Sequence, residues 1–224
     1  MKELGKLHQL VIHVMGYDIA FNLEVIIMTW MVMAVLIVFG FGASKKRALL
    51  PGPVQVLGEL FVSSLYQLTE DALDEEMART YGPLTIALFM FLLLSNWFGI
   101  IPHLEEPTKD LNTPLSLGIM GFFIAHYAGI KSKGIGAYLK GYCEPIFFMA
   151  PLNIIGELAK VVSISFRLFG NIMGGAIIIL VVSYLTYSIL IPPFLYFFFG
   201  CFVGTIQAFV FTMLTIVYIS VQVK

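Results

Sequence analysis

The sequence predicts an all-α fold: a polytopic membrane protein with five transmembrane helices, two of them a long tilted hairpin, plus an amphipathic helix on the cytoplasmic side. Three observations carry this. Of 224 residues, 59% are hydrophobic and only 12% charged, a composition too apolar for an ordinary soluble domain. The net charge of −1 hides a segregation of charges into residues 1–24, 44–80, 103–110 and 131–144, the pair Glu157 and Lys160, then Arg167 and Lys224. Between those clusters the segments 25–42, 83–102, 114–130 and 194–221 are continuous apolar runs, near the roughly 20 residues that a helix needs to cross a bilayer.

Taken in order, residues 1–24 are expected as an external N-terminal segment, and 25–42 as the first span. Residues 1–22 hold no sustained apolar region followed by a small-residue cleavage site, so the first span is expected to stay as an anchor. Residues 53–79 read as a helix too polar to span. Val54, Leu57, Leu60, Phe61, Leu65, Leu68 and Leu73 recur near helical spacing, with Gln55, Glu59, Gln67, Glu70 and Asp71 between them. Such a helix lies at an interface. Its acidic end, Glu70 to Glu76, is unlike a lipid-seeking basic helix and points to packing on another protein subunit.

A helical pair follows over 83–130, and Pro102 and Pro107 mark the turn inside it. Gly134 and Gly136 mark the next loop. The stretch 146–191 is longer than a span, with no proline from 152 to 185. Even about 33 helical residues reach roughly 50 Å against a hydrocarbon core of about 30 Å, so this helix must tilt or bend. Pro192-Pro193 separates it from the last helix, and together they fill 146–222.

Lysine and arginine in short loops set the orientation. Lys45, Lys46 and Arg47 mark one loop as inside and Lys131, Lys133 and Lys140 another, whereas 103–112 offers Glu105, Glu106 and Asp110 against one lysine. Five spans then put the N-terminus outside and Lys224 in the cytoplasm, with Lys2 and Lys6 a mild exception on a short tail. The two cysteines, Cys143 and Cys201, lie far apart in apolar surroundings, so ordinary thiols are expected rather than a disulfide or zinc site. Nothing in the charge pattern suggests nucleic acid.

The functional signal is Arg167, in the run Ser163-Ile-Ser-Phe-Arg167-Leu-Phe-Gly-Asn171. A guanidinium at membrane depth costs about 3 kcal/mol on insertion scales and usually faces a polar partner or a water-filled path. Asn153, Glu157, Lys160, Ser163, Arg167, Asn171 and Gly174 are three or four positions apart, so they form one ridge on an otherwise apolar helix. Glu157 and Lys160 can pair within the helix, but no acid follows Arg167 within two turns. Its acid is expected from elsewhere. Gly170, Gly174 and Gly175 beside it permit close approach of another helix, of this chain or of a partner. In the last span Gly200, Gly204, Gln207, Phe211 and Leu214 share one face, and the Gln207 amide is either helix glue or a solvating group for Arg167.

The runs Pro151-Leu-Asn-Ile-Ile-Gly-Glu157 through Asn171, Gly204-Thr-Ile-Gln207 through Tyr218, and Pro107-Thr-Lys-Asp110-Leu-Asn112-Thr occur in order over residues 84–222. In these motifs the chain resembles subunit a of the F-type ATP synthase, bacterial type; residues 1–80 match only in general layout. The resemblance implies a stator whose long tilted hairpin faces a rotating ring of c subunits, held in a bacterial plasma membrane with the b-subunit peripheral stalk and the rest of the synthase as partners. It puts the family's essential arginine on Arg167, its partner glutamine on Gln207 and its motif asparagine on Asn171. Glu157 and Lys160 then fall near the cytoplasmic access path, and Asp110 and Asn112 near the outer one.

One departure matters. Many proton-coupled relatives carry a glutamate five residues beyond the motif asparagine and often a histidine or other polar group on the last hairpin helix; here those positions are Ala176 and Gly200. A hydrated sodium ion needs no such relay, so this departure leans to Na+ over H+. The chain has no nucleotide-binding loop, and no cofactor is expected. A secondary transporter with an intramembrane Arg/Glu/Lys site is the alternative, but it would be expected to show internal repeats and broken helices. A cytochrome would need axial histidines on spans, whereas His8, His13 and His103 lie outside the apolar segments. His126 is expected to be structural or interfacial.

Overall fold

A computed structural model describes residues 9–14, 17–44, 52–101, 104–143, 150–185 and 191–224. Lys2, Lys6, His8, Lys45, Lys46, Arg47 and His103 fall outside the described residues. Among the described residues, five helical segments are long and apolar enough to cross a membrane: Leu23–Gly42, Glu75–Ile100, Asn112–Lys133, Ala150–Leu185 and Ile191–Val223. The all-α membrane domain is as expected.

Ahead of it lies a hairpin that the sequence reading left as an unassigned external segment. Strands β1 (Gln9–Val14) and β2 (Tyr17–Asn22) pair antiparallel, from Gln9 opposite Asn22 to Val14 opposite Tyr17. Both are rich in the β-branched and aromatic types that suit a strand. Helix α1 (Leu23–Ser44) follows. Apart from Val32 it buries little, leaving Trp30 67% and Val38 71% exposed, as suits a lipid-facing helix.

Helix α2 (Pro53–Leu73) starts with proline in its first turn, where a missing N–H is harmless. The helix expected over 53–79 ends at Leu73, because Asp74 takes a positive φ of 67° and reverses the chain. Helix α3 (Glu75–Trp97) begins at once, eight residues before the expected start. Its first turn holds Glu75 and Glu76, favourable at a helix N-terminus but invisible to a hydropathy reading. Gly82 lets α2 approach closely: a Cβ there would lie 3.1 Å from the Tyr66 ring.

Turns of 3₁₀ helix at Phe98–Ile100 and Pro107–Lys109 lead into helix α4 (Asn112–Lys133). Gly134, at φ 81°, reverses the chain into a short helix α5 (Ile135–Cys143) that was expected as loop. Helix α6 (Ala150–Leu185) is 36 residues long, about 54 Å if straight, so the expectation of an over-long helix holds. Helix α7 (Ile191–Phe197), a π-helical stretch at Phe198–Val203 and helix α8 (Gly204–Val223) run on as one rod.

Helix α8 is the hub, packing on α3, α4, α2 and α6. One core joins Leu92, Leu93, Leu168, Ile172, Ala208 and Phe211; a second joins Leu73, Tyr81, Ala125, Ala128, Ile216 and Ile219. Small residues on α4 make this packing close. A Cβ at Gly118 would meet Ser165, at Gly121 Thr215, and at Gly129 Tyr138 and the Gln222 backbone, the small-residue contact that favours membrane helix association. The bundle has a loop end, where residues 104–111 and Asn22 meet, and a C-terminal end, where Gly129, α5 and Gln222 meet.

Candidate functional site at the α6 ridge

The polar ridge of α6 is divided by its surroundings into three parts. Towards the C-terminal end, Asn153, Gly156, Glu157 and Lys160 line a cavity of about 390 Å³ with Lys133, Tyr138 and Gln222. Glu157 and Lys160 do form the intrahelical pair, Nζ to Oε1 at 2.6 Å, and the same ammonium lies 5.6 Å from the Tyr218 ring centre. Tyr138 donates to Gln222 Oε1 at 2.9 Å and closes one wall. Charged heads at a cavity mouth with an aromatic face beside them make a polar entry rather than a sealed core.

The middle part is Arg167. Its side chain stands on the exposed face of α6 with Ser163, among Val162, Phe166 and Ile177, which are 48%, 51% and 52% exposed. Among the described residues, no hydrogen bond or ion pair reaches it. The glycines beside it are of two kinds. A Cβ at Gly170 or Gly174 would meet nothing within 4 Å, whereas one at Gly175 would lie 2.8 Å from Phe199. Gly175 therefore serves the hairpin's own packing, and Gly156, Gly170 and Gly174 keep the arginine face low and open.

Towards the loop end, Asn171 Nδ2 donates to Gln207 Oε1 at 2.6 Å across the α6–α8 contact. Gln207 is only 3% exposed, and its Nε2 has no acceptor among the described residues. The amide solvates Asn171, one turn from Arg167, rather than the guanidinium itself. One turn further on α8, the Gly204 carbonyl accepts from Asn96 Nδ2 at 2.8 Å, while Asn96 Oδ1 accepts from Thr108 Oγ1 at 2.7 Å. Both side chains are fully buried. Sequence reasoning missed Asn96 and Thr108; a lone amide at the end of an apolar run was the available signal.

Asp110 and Asn112 are not brought to the ridge. Asp110 Oδ1 accepts from the Asn112 backbone N–H at 3.0 Å, fixing the start of α4, and its Oδ2 accepts from Asn22 at 3.4 Å. Gly200 is packed by Ile100 of the loop end, and Ala176 is half-buried. His126 rests on the Phe122 ring at 3.9 Å, with Nδ1 3.0 Å from the Phe122 carbonyl, a structural position. Cys201 is a free, half-buried thiol, and the Cys143 side chain lies outside the described residues.

A bundle of five described spans, with Arg167 exposed on an over-long apolar helix, a polar cavity on one side of it and the Asn171–Gln207 amide pair on the other, defines a polytopic membrane protein with a polar ridge at membrane depth. Comparison with known proteins gives the family. The ATP synthase A chain family matches residues 26–220, and the chain belongs to it. It is similar to ATP synthase subunit a of Moorella thermoacetica, 36% identical over 195 residues that cover 87% of this chain and 88% of that one. It is 37% identical to ATP synthase subunit a 2 of a Bradyrhizobium species over 199 residues, 88% and 87% of the two chains. Subunit a of Helicobacter pylori strain P12 is 37% identical over 193 residues, 84% of each. Membership makes this a membrane protein of ion transport and ATP synthesis, partnered by the rest of the F-type ATP synthase, and it displaces the secondary-transporter reading.

Proposed function

We propose that this chain is the stator of the rotary ion path, with Arg167 the fixed charge that each carboxylate of a c-subunit ring must pass. One observation carries the reading: Arg167 is exposed on an uncovered apolar face and no group of the described chain neutralises it. A guanidinium at membrane depth usually faces a polar partner or a water-filled path, the described chain offers it no partner, and Gly170 and Gly174 leave room for a partner helix to reach it.

The mechanism follows from charge. A ring carboxylate crosses lipid only while neutralised by its ion; opposite Arg167 it gives up the ion and is held electrostatically. The fixed cation separates two half-channels, one from the cavity at Glu157 and Lys160 with Asn153 and Ser163 along it, the other from the loop end past Asp110, Asn112, Asn171 and Gln207. An ion entering by one leaves by the other only after the ring turns. Each ion falling through 100 mV releases about 2.3 kcal/mol per elementary charge, and the ring adds such steps into torque.

The orientation in this reading is N-terminus outside and C-terminus cytoplasmic, in a bacterial plasma membrane. Lys131, Lys133 and Lys140 gathered at the C-terminal end support it. The peripheral b subunit is the further partner, supported by the uncovered side of α2, where Leu57 and Leu60 are 55% and 60% exposed. The same fixed charge serves Na+ or H+. Sodium is favoured by Ala176 and Gly200 alone, and a carboxyl group one residue from the contact made by Gly200 weighs the other way.

Arg167→Ala in the whole complex, reconstituted in vesicles, tests the reading. Ion-coupled ATP synthesis is expected to be lost with subunit composition unchanged; normal coupled synthesis would sink the assignment.

A further inference from the structure

Residues 104–111 fold one acid inward. The Glu106 carboxyl group lies directly on Gly99, so that any side chain at 99 would collide with it. The residue after Gly99, Ile100, is the one that packs on Gly200 of the hairpin. Glu106 also opens the turn Pro107–Lys109, whose Thr108 bonds Asn96 at 2.7 Å. Asn96 in turn bonds the Gly204 carbonyl at 2.8 Å, three residues before Gln207 and its 2.6 Å bond to Asn171. Polar groups thus follow one another from the Glu106 turn to Asn171, one helical turn from Arg167, in two bonded stretches, Thr108–Asn96–Gly204 and Gln207–Asn171, that share helix α8. Two buried atoms beside this thread, Ser95 Oγ and Gln207 Nε2, bond no protein atom among the described residues and retain hydrogen-bonding capacity for water.

The other charges around Glu106 do not fix its proton. Burial pushes its carboxyl up to about 7, Lys109 opposing and Glu105 adding to the rise. Lys109 is itself engaged by Glu105, Nζ to Oε1 at 3.6 Å. A carboxyl group held near neutrality gives and takes a proton with equal ease. The neighbouring Asp110 differs: it accepts from Asn112 and Asn22 and is used as a cap.

We infer that Glu106 is the proton-exchanging group at the loop-end mouth of the ion path and that the ion carried is H+. This rests on the stator reading. In the synthesis direction a proton from bulk water on the loop side forms an O–H bond on the Glu106 carboxylate. That bond breaks as the proton passes inward to water lining the Thr108–Asn96–Gln207 thread, and it ends on a ring carboxylate near Arg167. Glu106 returns to its starting charge in every cycle. A carboxyl group on the loop replaces what Ala176 and Gly200 lack.

The test is ATP synthesis by the whole complex in liposomes under a fixed potassium-diffusion potential, with the pH on the loop side varied and sodium omitted. The unaltered complex is expected to work without sodium, its rate following a titration centred near pH 7. Glu106→Gln, which keeps the shape over Gly99, is expected to lower the rate about tenfold or more and to lose that titration. Glu106→Asp should retain activity, with the midpoint lowered by about 0.4 units, the intrinsic difference between the two acids. A Glu106→Gln rate within about twofold of the unaltered complex, or an absolute need for sodium with no titration, overturns the inference. Where Glu106→Gln fails to assemble, an unmoved midpoint in Glu106→Asp overturns it. Arg167→Ala in the same liposomes separates the two readings: if it is inactive while Glu106→Gln is normal, only the Glu106 inference falls.

Discussion

Asn96 is the residue whose loss should be felt most for its size. It is fully buried, donates to the Gly204 carbonyl at 2.8 Å and accepts from Thr108 at 2.7 Å, so it ties α3, the 107–109 turn and α8 at one point. Asn96→Leu preserves volume but strands one carbonyl and one hydroxyl. Each stranded buried group costs about 1–3 kcal/mol, and the apolar gain of the leucine returns about 1 kcal/mol, so a loss of about 1–5 kcal/mol is expected. Thr108→Val strands only the Asn96 Oδ1 and should cost about 1–2 kcal/mol. In the double variant the hydroxyl and its acceptor are both gone, and only the Gly204 carbonyl stays unmatched. The double loss should therefore fall short of the sum by about 0.5–1.7 kcal/mol, the range that cycles of hydrogen-bonded pairs in membrane helices reach. Trp97 reports the transition well: its Nε1 bonds Thr205 at 3.0 Å across the same contact, and of the 2 tryptophans only Trp30 need be changed to phenylalanine. Unfolding in mixed micelles with rising dodecyl sulfate, followed by Trp97 emission, gives the four free energies. Strictly additive losses would refute the claim that Asn96 and Thr108 act as one network.

Arg167→Lys should lose most coupled synthesis in vesicles, because an ammonium has a shorter, single-point reach and gives up its proton when desolvated; retention of half the rate or more, roughly a factor of two, would argue for simple charge. Gln207→Leu strands Asn171 Nδ2 but leaves the cation in place, so its damage to coupled transport should be smaller than that of Arg167→Ala; equal damage would mean that the roles are misassigned. The glycines should separate by what they face. Gly175→Val meets Phe199 at 2.8 Å and should destabilise the subunit by about 1–3 kcal/mol, whereas Gly174→Val meets nothing and should leave unfolding unchanged while impairing rotation. Glu106 should also leave a mark on stability. Its folded pKa, about 7, lies above the 4.5 of the free group, so the folded state binds the extra proton between these values and stability falls as pH rises through that window. Glu106→Gln should flatten that slope in the same micelle titration.

The spans and the ridge were legible because both are local. A run of apolar residues or a spacing of three and four is written in consecutive positions, and α4 and α6 fell close to where the pattern put them. What escaped is equally physical. The start of α3 was missed because its first turn is polar by preference at a helix N-terminus, and the break before it lies in the backbone of Asp74 at φ 67°. The hairpin of β1 and β2 was missed because its residues carry too little apolar length to register as an element. The bonds that build the site, Asn171 to Gln207 over 36 positions and Asn96 to Gly204 over 108, depend on which helices meet, and no spacing along one helix encodes that. Arg167 shows where the two kinds of information join. From the sequence it was a cation lacking an acid; in the fold it is a cation on a face that none of the other described helices covers. The first fact alone allows a partner elsewhere in the chain, the second alone allows a harmless lipid-facing position, and together they favour a polar partner from outside the described chain, which is what the stator reading supplies.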